Sequence, residues 1–120
     1  MSLSLNNRTF IPFENSEGGV VDARTQFHFT QIGQNFAAEY QGGDILSGHI
    51  IGRMSNDLTG EMLYHCQTTG NKLKAGHASA TFKTTDTGAI RMSLKWKWLG
   101  GGTGSGTSEY ITIDPQAGTA

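Results

Sequence analysis

Residues 90–113 read IRMSLKWKWLGGGTGSGTSEYITI, and two very different proteins can be read into them. The first nine residues alternate. Ile90, Met92, Leu94, Trp96 and Trp98 take one side of an extended chain, and Arg91, Ser93, Lys95 and Lys97 take the other. Five glycines then fall within the seven positions 100–106. A glycine-rich segment after a strand is either a phosphate cradle or a turn. A P-loop requires G-x-x-x-x-G-K-[ST] opening a helix. Gly101 to Gly106 has the glycine spacing, but Thr107 stands where the lysine belongs and nothing helical follows. Gly102, Gly104 and Gly106 read G-x-G-x-G and lead into another alternating run, so the dinucleotide fingerprint fails as well. Ser105 and Ser108 lack the flanking glycine pair of a nucleophile elbow. The stretch is a strand, a hairpin link and a second strand. Such a link at the end of a sheet can also act as a lid over a ligand.

The same grammar extends in both directions. Upstream, runs with period-two alternation are separated by glycine-containing turns, and no segment has a helical period. The first run is Arg8 to Glu14, where Pro12 has no N–H for a ladder and demands an edge or a bulge. In the second, Val21, Ala23, Thr25, Phe27 and Phe29 oppose Asp22, Arg24, Gln26, His28 and Thr30. Gly33-Gln34-Asn35 turns into a third run, with Phe36, Ala38 and Tyr40 on one face, and Gly42-Gly43 is a hairpin signal. Runs four to six are Asp44 to Ser55, Glu61 to Thr69 and Lys72 to Lys83. The seventh is Ile90 to Trp98 and the eighth Thr107 to Asp114, with Ile111 and Ile113 on one face; the tail from Pro115 is expected to fray.

Eight strands with short links and no crossover helices predict an all-β, antiparallel up-and-down meander. Closing it into an eight-stranded β-barrel removes both unprotected edges. The rival is a flattened sandwich of two sheets. Gly48, Gly52 and Gly76 lie inside runs four and six, where glycines mark bends in a small barrel.

Composition narrows the function. The chain has 120 residues, enough for one domain, and a net charge of −1 with no basic stripe, which argues against a nucleic-acid binder. Cys66 is the only cysteine, so no intrachain disulfide framework exists. The N-terminal MSLSLNNRTF has no basic segment followed by an apolar run, and no apolar stretch reaches membrane-helix length. The expectation is a cytoplasmic protein with no membrane contact.

In order along the chain come the N-x-x-G turn at Asn15 to Gly18, QIGQNFAAEYQGGDILSGHIIG (Gln31 to Gly52), Tyr64-His65, IRMSLKWKW (Ile90 to Trp98) and SGTS (Ser105 to Ser108). With these pieces the chain resembles a family of short, mostly bacterial, single-domain barrels of the streptavidin-like or lipocalin-like kind. The resemblance covers about Phe10 to Ile113 and implies a barrel that binds a small molecule. Some members of that family carry the label N-acetylglutamate synthase. This chain has neither the Q/R-x-x-G-x-G/A turn nor the helix of the common acetyltransferase fold, so that activity is not expected. Relatives often carry a carboxylate two residues before the first tryptophan; here that residue is Leu94.

The candidate ligand-binding residues are Trp96, Trp98, Phe27, Phe29, Phe36 and Tyr40 as an aromatic lining, with Tyr64, His49 and Arg53 as polar groups. Arg91 has the opposite parity to the tryptophans and belongs outside. The ligand class is small and apolar or aromatic, with one polar or anionic group. The alternatives are a barrel enzyme of isomerase or cyclase type using Tyr64 or His49 for proton transfer, and a filled barrel acting through its surface. No cofactor is expected and no metal site. His65 and Cys66 are adjacent and face opposite ways, and no C-x-x-C or H-x-x-x-H spacing occurs. Runs four to six carry apolar residues on both faces, which predicts a homo-oligomer through these strands.

Overall fold

The computed structural model describes residues 4–15, 24–56, 58–101 and 104–113. These described residues form eight strands: β1 (Arg8–Asn15), β2 (Gln26–Ile32), β3 (Asn35–Gly42), β4 (Ile45–Met54), β5 (Thr59–Thr68), β6 (Leu73–Thr84), β7 (Ile90–Gly100) and β8 (Ser105–Thr112). Each pairs antiparallel with the next, and β8 returns to β1 through Phe10↔Thr112 and Ile11↔Ile111. That last ladder closes the barrel and excludes the sandwich. The expected start of the second run at Val21, the turn after Asn15 and the tail from Pro115 lie outside the described residues.

The links follow from their residues. Gly33 (φ 61°) turns β2 into β3, and Gly42 (φ 120°) and Gly43 (φ 64°) turn β3 into β4. A side chain at Gly42 would also meet the Arg24 carbonyl. Pro12 sits at a register shift between β1 and β8, the bulge that its missing N–H requires. The opening glycine segment is a hairpin link: the Trp98 amide donates to the Gly104 carbonyl at 3.0 Å, and Thr107 lies in β8.

Alternation puts one face of every strand in the core. At one end Phe10, Phe29, Phe36 and Phe82 meet ring to ring, with centroids 5.1–6.4 Å apart. Leu5, fully buried just before β1, joins that core, and its amide donates to Gln31 Oε1. The glycines inside β4 and β6 have a specific task. Tyr40 lies directly opposite Gly48, Phe36 opposite Gly52, and Tyr64 opposite Gly76. A Cβ on Gly48 would stand 2.4 Å from the Tyr40 ring. Each glycine is the seat of an aromatic ring from the neighbouring strand.

Candidate functional site: the tyrosine end of the barrel

The other end carries the β3–β4, β5–β6 and β7–β8 links, and its interior is different in kind. Phe27 stacks on Tyr40 with centroids 4.6 Å apart, and Tyr110 meets the edge of Phe27 at 5.2 Å. Trp98 packs against Trp96 at 5.7 Å and edge-on to Tyr64 at 5.8 Å. Trp96 is buried, while Trp98 and Tyr64 are half-buried. Lys74 stands at the rim: its Nζ lies 4.9 Å above the Trp98 ring and donates to the Gly101 carbonyl. The glycine link thus holds a cation against this aromatic wall.

The polar groups are hydroxyls. Tyr40 Oη donates to the His65 carbonyl at 3.2 Å, and Tyr64 Oη to the Lys97 carbonyl at 3.4 Å. Ser108 and Tyr110, two residues apart on β8 and so on one face, are joined by a 2.9 Å hydrogen bond. These two hydroxyls carry two protons and share one hydrogen bond. One O–H therefore has no acceptor among the described residues. Ser108 is 1% exposed and Tyr110 4%, so water does not serve it freely.

Burial sets the electrostatics. It raises the Tyr110 pKa to about 12, against a smaller opposing effect of the Ser108 hydrogen bond. It likewise raises those of Tyr40 and Tyr64. It pushes the Cys66 thiol up too, so the thiol beside Tyr40 stays neutral. Among the described residues the buried polar ones are Thr25, Thr68, Ser108 and Thr112, none of them charged. The interior at neutral pH is aromatic, hydroxyl-bearing and uncharged.

Against this geometry the expected residues sort themselves. Phe27, Tyr40, Tyr64, Trp96 and Trp98 come together at this end. Phe29 and Phe36 are buried but belong to the phenylalanine cluster at the opposite end. His49 and Arg53 do not reach the interior. The face of β4 that turns inward is Gly48, Ile50, Gly52 and Met54, because the glycines receive the Tyr40 and Phe36 rings, and His49 and Arg53 point outward. Arg53 instead holds Glu61, with Nη2 2.6 Å from Oε1, and His77 takes the second carboxylate oxygen at 3.2 Å. First Arg53 and then His77 hold the Glu61 carboxyl below its ordinary pKa. Arg91 is outside as expected, over the Phe13 ring. Parity reasoning does not bring Ser108 and Tyr110 to the candidate site. The eighth run was marked by Ile111 and Ile113, yet Ser108, Tyr110 and Thr112 are the residues that turn inward. The register with β7, Met92↔Tyr110 and Leu94↔Ser108, was the missing signal.

Among the described residues no three His, Cys, Asp or Glu side chains converge on one point, and no helix is long and apolar enough to cross a membrane. Comparison with curated proteins and with solved structures gives no match. The family model described as avidin-like protein matches residues 3–113. With nearly the whole chain matched and a closed eight-stranded antiparallel barrel in place, this protein belongs to the avidin-like family.

Proposed function

We propose that the protein binds one small, neutral, planar ligand inside the tyrosine end of the barrel, and that this ligand presents a hydrogen-bond acceptor such as a carbonyl oxygen. Membership of the avidin-like family fits small-molecule binding in general terms and names no ligand. The observation that carries the reading is the surplus O–H of the Ser108–Tyr110 pair, buried among aromatic rings. A buried donor without an acceptor is costly, and an acceptor brought by a ligand relieves it. The absence of charge among the described buried residues favours a neutral ligand over an anionic one. The enzyme alternative loses support, because His49 is outside and no acid–base pair meets Tyr64 within the described interior. A single, buried, unpaired cysteine fits a reducing compartment such as the cytoplasm.

The test uses prodan, a neutral planar naphthyl ketone whose emission reports hydrogen bonding to its carbonyl. One probe per chain should bind and quench tryptophan emission. The double variant Ser108→Ala/Tyr110→Phe removes both hydroxyls and should weaken binding by roughly tenfold, the worth of one buried hydrogen bond. The anionic anilinonaphthalene sulfonate should bind less well. Tighter binding of the sulfonate, or indifference of prodan to the double variant, contradicts the reading.

We further propose that the protein assembles with copies of itself through the outer face of β4 to β6. Ile51 and Leu63 are paired across β4 and β5 and are 64% and 48% exposed, an apolar centre flanked by the Arg53–Glu61–His77 cluster. Light scattering should show an oligomer at micromolar concentration that Ile51→Lys/Leu63→Lys converts to monomer. A monodisperse wild-type monomer removes this proposal.

A further inference from the structure

The outer face of the barrel holds a second constellation, unrelated to the interior. Successive ladders set His28 opposite Glu39, Glu39 opposite His49, and His49 opposite His65. Residues directly opposite across a ladder share one face of the sheet. One row of metal-ligating residue types therefore runs across β2, β3, β4 and β5. Within it, His49 and His65 face each other with ring centroids 5.6 Å apart and planes 34° from parallel. Both are exposed, and neither ring has a hydrogen-bond partner among the described residues. The other two histidines that face outward from the sheet are engaged, His28 by Thr9 Oγ1 at 3.0 Å and His77 by Glu61. The free pair lines a groove of about 560 Å³ with Ser47, Gln67, Leu73 and Lys74.

We propose that His49 and His65 form a bidentate site for a divalent first-row transition metal ion, copper(II) above zinc(II) or nickel(II). Two imidazoles bound to one ion at about 2.0–2.1 Å per nitrogen place their ring centroids roughly 4.5–5.3 Å apart for angles of about 90–110° at the metal. The observed 5.6 Å exceeds this by about 0.3 Å at the wide angle and about 1.1 Å at the right angle, a gap that side-chain rotations of two exposed rings close. Imidazole nitrogen suits these ions, and copper(II) heads the stability series. Two ladder neighbours are a strong base for a chelate, because the sheet holds their backbones in place before the ion arrives. Glu39 lies opposite His49 in the β3–β4 ladder but does not converge with the two histidines on one point. The remaining positions fall to water or to a group outside the chain. The site needs two strands and so leaves no mark in the local spacing of histidines. It does not rest on the ligand reading of the interior, and it requires only one copy of the chain.

The test takes untagged protein and copper(II) alone. Calorimetry should show one saturable ion per chain, and electron paramagnetic resonance should show coupling to two imidazole nitrogens. His49→Gln and His65→Gln should each weaken binding by at least the ~10–100-fold that loss of a ligand's own hydrogen-bond partner costs. His28→Gln should leave it unchanged. As an independent readout, zinc(II) should raise the thermal midpoint of the wild type and of His28→Gln, and not that of His49→Gln. The proposal is overturned if copper(II) shows no saturable binding, or if His49→Gln and His65→Gln bind it as the wild type does. The single-glutamine variants change exposed side chains, so they keep the barrel intact.

Discussion

Replacing Gly48 by alanine tests the link between the strand glycines and the candidate site. The backbone there is outside the left-handed region, so alanine brings no conformational strain. By restricting the unfolded chain it would stabilise by about 0.4–1 kcal/mol if nothing stood in its way. What stands there is the Tyr40 ring, with Cζ, Cε2 and Cε1 at 2.4, 2.5 and 2.6 Å from the new Cβ. That ring cannot simply swing aside. It is 4% exposed, stacked on Phe27, and tied to the His65 carbonyl. Overpacking of this kind costs about 1–3 kcal/mol, so the net effect should be a loss of about 1–2 kcal/mol and a fall in Tm of roughly 4 °C per kcal/mol. Chemical denaturation of wild type, Gly48→Ala, Tyr40→Leu and the double variant completes the assay. With the ring gone, Gly48→Ala should be neutral or stabilising. Equal costs in both backgrounds, or a stabilised Gly48→Ala, would refute the seat-and-ring reading. The three glycines should also rank. Gly52→Ala should cost most, since its Cβ meets the Glu61 carbonyl at 2.8 Å as well as Phe36. Gly76→Ala should cost least, because the half-buried Tyr64 can yield.

The two tryptophans should separate core from rim. Trp96→Ala should cost about 3–5 kcal/mol of stability by denaturation, and Trp98→Ala about half that or less, with a larger loss of prodan binding. Alkaline stability should fall above pH 10. The phenols have their pKa raised in the folded state, from 10.0 to about 12 for Tyr110, so the neutral form stabilises the fold fully below pH 10. Between pH 10 and about 12 the unfolded chain gives up that proton and the folded one keeps it, at about 1.4 kcal/mol per pH unit. Denaturation at pH 8 and pH 11 checks the sign. Equal stability at both would show that these phenols are solvated.

Much of the architecture was legible along the chain. Alternation in residues 90–98, the glycine turns and the run count were sufficient for an antiparallel barrel, and Pro12 announced its own bulge. The aromatic part of the candidate site was legible for the same reason. Phe27, Tyr40, Trp96 and Trp98 sit on clean alternating faces, and a large apolar side chain on such a face goes inward. Strands β4 and β5 were harder because they carry apolar residues on both faces. Parity then offers two faces without ranking them, so His49 and Arg53, expected in the candidate site, lie on the outer wall.

Local pattern, then, carries the strands, their number and the turns between them, because side-chain alternation and glycine backbone freedom are properties of neighbouring residues. Contact between distant residues is another matter. Gly48 faces inward because Tyr40 needs its space. Ser108 and Tyr110 have a proton to spare because β8 sets them on a buried face. His49 meets His65 because the register of the β4–β5 ladder sets them opposite each other. Each of these depends on how a closed barrel distributes volume and aligns its strands, and that is settled across ladders rather than along the chain.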